Sequence, residues 1–198
     1  MKQFQNNQKE YDKYIDWFKT LPLFLEKDGF RAVHACWDNN HIYFLKTKLS
    51  DSILSDAMIY ESVKEGTAFN IAVEETLKGK EIKMPDDLFF HDKDGTKRTE
   101  IRIKWWEDPT SLTYRSLSVI DIPSLPELPV DSNETSIESY YGLDEKHVFF
   151  GHYWLKGLPV LYRNNVCCLD FSVAKGGHLV AYSYDDETSL DSGKLTFV

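Results

Sequence analysis

The sequence predicts a mixed chain, α/β or layered α+β, because helical periodicity fills its first part and strand-like runs dominate its last. Composition agrees with a folded globule, since 42% of the 198 residues are hydrophobic and 14% aromatic. That length suffices for one domain with a sizeable core, and no linker-like stretch divides it.

Each element has a local reason. Residues 4–20 set Tyr11, Tyr14, Ile15, Trp17 and Phe18 at helical spacing among polar residues, and Leu21-Pro22 stops the helix. Leu23–Glu26 and Phe30–Ala35 read as strands of a hairpin turning at Asp28-Gly29. Residues 40–50 and 53–78 are expected to be helical. The second span restarts at Gly66-Thr67, with Thr67 as N-cap and Phe69, Ile71, Ala72 and Leu77 as the apolar face.

From Gly79 to Arg98 the chain turns to Lys, Asp, Gly and Pro, a surface excursion. Thr99–Trp106 alternates like a strand and stops at Asp108-Pro109. Residues 121–136 carry three prolines and read as a long loop. His147–Phe150 is a short strand followed by Gly151-His152. Asn165–Ser172 and His178–Ser183 are strands joined across Lys175-Gly176-Gly177.

Charge excludes some functions. With 23 basic and 32 acidic residues the net charge is −9, which repels nucleic-acid backbones and anionic lipid. The expected partners therefore include no nucleic acid and no membrane. Any phosphate must be met by a local group of cations or by metal. Three cysteines (Cys36, Cys167 and Cys168) make no C-x-x-C pair and suit a reducing compartment, where the Asn133-Glu134-Thr135 sequon has no meaning. No apolar run reaches roughly 18 residues and the N-terminus is polar, so the expected location is cytoplasmic.

Two histidines stand where short strands end. RAV leads to His34 and VFFG leads to His152. Sites in layered α/β proteins gather at the carboxyl ends of strands, and a neutral imidazole is a common metal ligand. Gly151 suits a tight turn that would aim the ring of His152 into a pocket. The plainer reading, a core or surface histidine, stands beside this one for each position.

In order, the pieces LPLFLE…FRAVHACWD, LKGKEIKMPDD…HDKDGTKRTEIRIKWWEDP and HVFFGHYW…NVCCLDFSVAKGGHLVAYSYD resemble the C-terminal portion of calcineurin-like metallophosphoesterases. The nearest likeness is to the bacterial branch with bis(5′-nucleosyl)-tetraphosphatase-like and serine/threonine phosphatase-like members. The resemblance covers nearly the whole chain. It implies that residues 1–198 are the C-terminal half of a four-layer α-β-β-α sandwich. It also implies a metal-dependent phosphoric ester hydrolase acting on a phosphorylated small molecule or a phosphoprotein. His34 and His152 would be metal ligands in a centre of two divalent ions (Mn, Fe, Zn or Ni) about 3.5–4 Å apart. Asp38 or a backbone carbonyl would orient an imidazole. Trp105-Trp106-Glu107-Asp108-Pro109 resembles the W-S-D-P segment beside the substrate groove, with Arg115 and Arg102 as candidate substrate-binding residues. The two indoles read more readily as core packing than as a stacking platform, and both arginines at least as readily as surface or salt-bridge residues.

The family's earlier motifs are missing: G-D-x-H-G, G-D-x-x-D-R-G and G-N-H-[DE] do not occur, and the chain has no Gly-Asp or Gly-Asn dipeptide. Asn39-Asn40-His41 is only an echo and reads as the start of a helix. The expectation is a truncated or split domain with weak or no metal binding alone, unidentified catalytic residues, and free strand edges near Ala32–Ala35 and Val148–Phe150 that invite association. The alternative is a non-catalytic pseudo-phosphatase fragment that binds or regulates a protein. A third reading, without the resemblance, is an acidic α+β binding module. Cys167 and Cys168 read as core residues, and Lys175-Gly176-Gly177 as a hairpin turn rather than a phosphate cradle.

Overall fold

The structure, a computed structural model, describes residues 4–91, 95–131 and 139–198. The sequon and part of the proline-bearing loop lie outside the described residues. Helix α1 (Gln8–Lys19) starts where the Asn7 side chain accepts from the Glu10 amide, and Thr20 closes its other end ahead of Leu21-Pro22. The helix buries none of its residues, and Trp17 and Phe18 are each 54% exposed. Its apolar stripe therefore lies on the surface.

Strands β1 (Phe24–Glu26) and β2 (Phe30–Val33) pair antiparallel with Phe24 opposite Val33, as the turn signal predicts. Helices α2 (Asn39–Lys48), α3 (Asp56–Ser62) and α4 (Ala68–Lys78) follow, capped by Asp38, Ser55 and Thr67. Each cap side chain accepts from a first-turn amide that has no partner within the helix. Gly79 ends α4 at φ +86°, and a Cβ there would lie 2.3 Å from the Tyr153 hydroxyl, so both conformation and space demand glycine.

The expected surface excursion after Gly79 is partly ordered. β3 (Glu81–Lys83) pairs with β6 (Glu100–Arg102), setting buried Ile82 opposite Ile101, and β4 (Phe90–His91) pairs with β5 (Lys97–Arg98). One apolar residue between two charged ones is a minimal alternating pattern, easily mistaken for loop. The strand expected over Thr99–Trp106 ends at Arg102, because Ile103 bridges to Ser118 and the two indoles then turn into the core. Helix α5 (Tyr114–Leu117), with a capping box from Thr113 and Ser116, has no counterpart among the sequence expectations.

β7 (His147–Phe150) matches its expected bounds. The strand expected over Asn165–Ser172 divides into β8 (Val166–Cys168) and β9 (Asp170–Phe171). The chain changes sheets there: the Leu169 amide still donates to Phe150, while Asp170 already pairs with Leu179. β10 (His178–Tyr182) and an unanticipated β11 (Leu195–Phe197) complete a three-stranded sheet in the order β11-β10-β9. At the expected hairpin turn, a Cβ on Gly177 would fall 1.9 Å from the Phe171 carbonyl oxygen. No side chain fits.

The larger sheet has the order β1-β2-β7-β8, with β2, β7 and β8 mutually parallel. Its strands β7 and β8 are buried at nearly every position, the pattern of strands covered on both faces. Free edges at β2 and β7 are therefore not found; each has a neighbour on both sides, and the edges are β1 and β8. One core joins this sheet to α2 and α4 through Trp37, Leu45, Val73, Trp105, Trp106, Val148 and Phe150. A second, smaller core under β3 and β6 gathers Ile82, Ile101, Tyr114, Leu117 and Leu125. The protein is thus mixed α/β, built on small sheets. Among the described residues, no helix is long and apolar enough to cross a membrane.

Candidate functional site

The parallel pairing of β2 with β7 sets Phe30 opposite His147 and Ala32 opposite Phe149, so the two strands finish side by side. The Gly151 amide donates to the His34 carbonyl at 3.0 Å and ties their carboxyl ends together. From these ends the imidazoles of His34 and His152 converge, with Nε2 of His34 3.2 Å from Nδ1 of His152. Residues 118 positions apart in sequence meet because the sheet makes their strands adjacent.

The turn that aims His152 is not made by a left-handed Gly151. His152 itself holds φ +75°, while a Cβ on Gly151 would meet only ordinary contacts at 3.5 Å and beyond. Burial lowers the pKa of His34, with Asp170 partly opposing. Burial, the Arg102 charge and the neighbouring ring of His34 together push His152 down to about 4. Both rings are therefore neutral near pH 7 and keep lone pairs available.

Asp170 is the carboxylate that acts on both rings, and it is committed to backbone donors. It accepts from the Trp154 amide at 3.2 Å and the Ser172 amide at 3.1 Å. Among the described residues, no group of three or more His, Cys, Asp or Glu side chains is arranged to hold a metal ion. The donor set at the strand ends is two imidazoles.

His152 also lines a cavity of about 1060 Å³. Lys78, Arg102, Lys156 and Lys175 contribute cations to its lining, which among the described residues includes no Asp or Glu. That is a local reversal on a chain of net charge −9. Arg102 pairs with Glu81 at 2.9 Å, and its Nε is buried without a hydrogen-bond partner among the described residues. Gly176 and Gly177 of the hairpin turn line the same cavity, so that turn borders the site after all. His34 lines a different, apolar groove together with Phe18, Leu21, Leu25 and Leu77.

The other candidates lie elsewhere. Arg115 donates to the carbonyls of Leu125 and Pro123 and pairs with Glu127 at 3.1 Å; it fastens a loop and is not among the cavity's lining residues. Asp38 does not orient an imidazole. It caps α2 through the Asn40 and His41 amides and forms a buried ion pair with Lys80 at 2.6 Å. Trp105 and Trp106 are 2% and 1% exposed, so they are core residues rather than a stacking surface. Cys36, Cys167 and Cys168 are buried free thiols, all with raised pKa from burial.

Sequence reasoning missed the basic cavity, whose cations come from α4, β6 and two loops and form no run. It also missed Asp170, a lone acid that opens β9. No family model, curated protein or solved structure matches the chain.

Proposed function

We propose that the cavity binds a phosphate ester and that His34 and His152 hold one divalent ion at its mouth, the arrangement of a metal-dependent phosphoric ester hydrolase. The convergence of the two rings carries this reading. With metal–nitrogen bonds of about 2.0–2.1 Å, two nitrogens on one tetrahedral ion stand about 3.4 Å apart, near the 3.2 Å between these rings. Neutral rings are also the state a metal requires, since a protonated imidazole has no lone pair to give. The four cations answer the chain's need for local positive charge toward an anion, with Arg102 able to fork onto two phosphoryl oxygens.

The fit is partial. Two imidazoles match a single ion held weakly; they do not match a two-metal centre, which needs bridging and terminal carboxylates. A bound ion would act as a Lewis acid toward a phosphoryl oxygen. The protein's own residues bind and orient: Arg102 and the lysines neutralise the ester, and Asp170 fixes the turn that presents His152. This reading carries with it the four-layer arrangement, with the four-stranded and three-stranded sheets as its two inner layers. Turnover by this chain alone is expected to be negligible. A non-catalytic, protein-binding role is the second reading, favoured by the apolar stripe that α1 leaves exposed.

Titration with manganese and with zinc tests the first reading. Weak binding to the parent chain should disappear in both His34→Ala and His152→Ala, each checked for retained folding by circular dichroism. Metal binding that persists unchanged in both variants would overturn it.

A further inference from the structure

Eight non-glycine residues of the described chain hold a positive φ, and six of them are Asp or Ser. Short polar side chains tolerate that conformation by bonding to their own backbone. Trp154, at φ +52°, has no such excuse. A bulky residue held there is an outlier, kept only because its surroundings impose it. Asp170 does the imposing: its carboxylate accepts from the Trp154 amide at 3.2 Å and its carbonyl from the Leu155 amide at 3.1 Å.

The strain does not serve burial. The indole is 46% exposed, at the wall of the cavity that His152 lines. The ammonium of Lys175 stands 4.5 Å from its ring centroid. An aromatic face, a cation over it, and Arg102 and Lys156 on the same walls form a cleft with two chemistries. One part suits a flat π-system and the other an anion.

We propose that Trp154 is the stacking platform for the planar group of a phosphate ester whose phosphoryl end is held by the cavity's cations. The proposal rests on reading the cavity as a phosphate-ester site and adds the substrate class: a phosphate monoester bearing an aromatic or heteroaromatic ring. Stacking on the indole replaces water on both faces in contact, a gain that an ester without a ring cannot obtain.

The test compares phenyl phosphate, adenosine monophosphate and glycerol phosphate by equilibrium binding in EDTA, which removes any contribution from metal at the histidines. The two planar esters should bind at least about tenfold more tightly than glycerol phosphate, as expected for one base–aromatic stack. Trp154→Ala should erase that advantage, and Trp154→Phe should keep most of it. Preference for adenosine monophosphate points to a nucleotide as the source, and preference for phenyl phosphate to an aryl ester. Equal affinity for all three esters, or a planar preference that survives Trp154→Ala, overturns the platform. Manganese binding without binding of any of the three overturns it too, while the metal reading stands separately.

Discussion

Removing the carboxylate of Asp38 should be among the most damaging single changes in the molecule. Its ion pair with Lys80 spans 2.6 Å, and the two side chains are only 5% and 4% exposed. Lys80 also donates to the Ser139 carbonyl and hydroxyl at 3.1 and 3.0 Å, and the Ser139 hydroxyl donates to Asp38. Asp38→Ala removes the cap of α2, worth about 1 kcal/mol, and leaves a buried ammonium without its counter-ion, worth about 3–5 kcal/mol. A loss of roughly 4–6 kcal/mol, read as a large drop in the urea midpoint, is expected. Asp38→Asn combined with Lys80→Met keeps a capping oxygen and strands no charge, so it should cost only about 1–2 kcal/mol.

The same pair fixes an acid dependence. Burial alone would raise the Asp38 pKa, but the Lys80 charge and the hydrogen bonds outweigh it and bring it to about 2, below the usual aspartate value of about 3.9. The folded state therefore binds this proton less readily than the unfolded chain. Its contribution of roughly 2 kcal/mol is complete above the unfolded value and is lost as pH falls through about 2. Equal destabilisation by the single and double variants, or a parent stability indifferent to pH between about 4 and 2, would refute the coupling.

Three other outcomes follow from the site. Between pH 7.5 and 5.5 manganese affinity should fall less than about tenfold, because His152 with a pKa of about 4 stays neutral; two ordinary imidazoles would lose about a hundredfold. A pH series of the titration decides. Arg102→Met should weaken phosphate-ester binding by about tenfold or more, whereas Arg115→Met should lower the unfolding midpoint and leave binding unchanged. The three buried cysteines should be silent toward a thiol reagent in the native state and react together in denaturant.

How much of this was legible depended on the range of the signal. The hairpin at Asp28-Gly29, the Thr67 cap and the His147–Phe150 strand each rest on a few adjacent residues, so local pattern sufficed. β3 and β11 did not announce themselves, because three residues with one or two apolar positions become strands only when a partner is present. His34 and His152 follow apolar runs, but that place alone did not choose them among six histidines; the resemblance did, and their meeting required β2 and β7 to be neighbours. Lys78, Arg102, Lys156 and Lys175 could not be grouped at all, since only the fold brings those scattered positions to one cavity. Arg102 and Arg115 looked alike in sequence; tertiary hydrogen bonds separate them.

The chemistry of the pair is narrower than its residue type suggests. Histidine at a phosphoester site can act as ligand, as hydrogen-bond donor or as general acid. A general acid works best with a pKa near the operating pH. At pH 7 a ring with a pKa of about 4 is protonated about one time in a thousand, so His152 is a poor proton donor to a leaving group. The causes reinforce one another: burial, the Arg102 charge and the neighbouring His34 ring all disfavour the imidazolium. Asp170, which would favour it, spends its oxygens on the amides of Trp154 and Ser172. Moving Asp170 onto the ring would relax the turn that aims it. The fold therefore trades acid chemistry at His152 for position and a free lone pair, which leaves ligation or neutral hydrogen bonding as the roles its geometry serves.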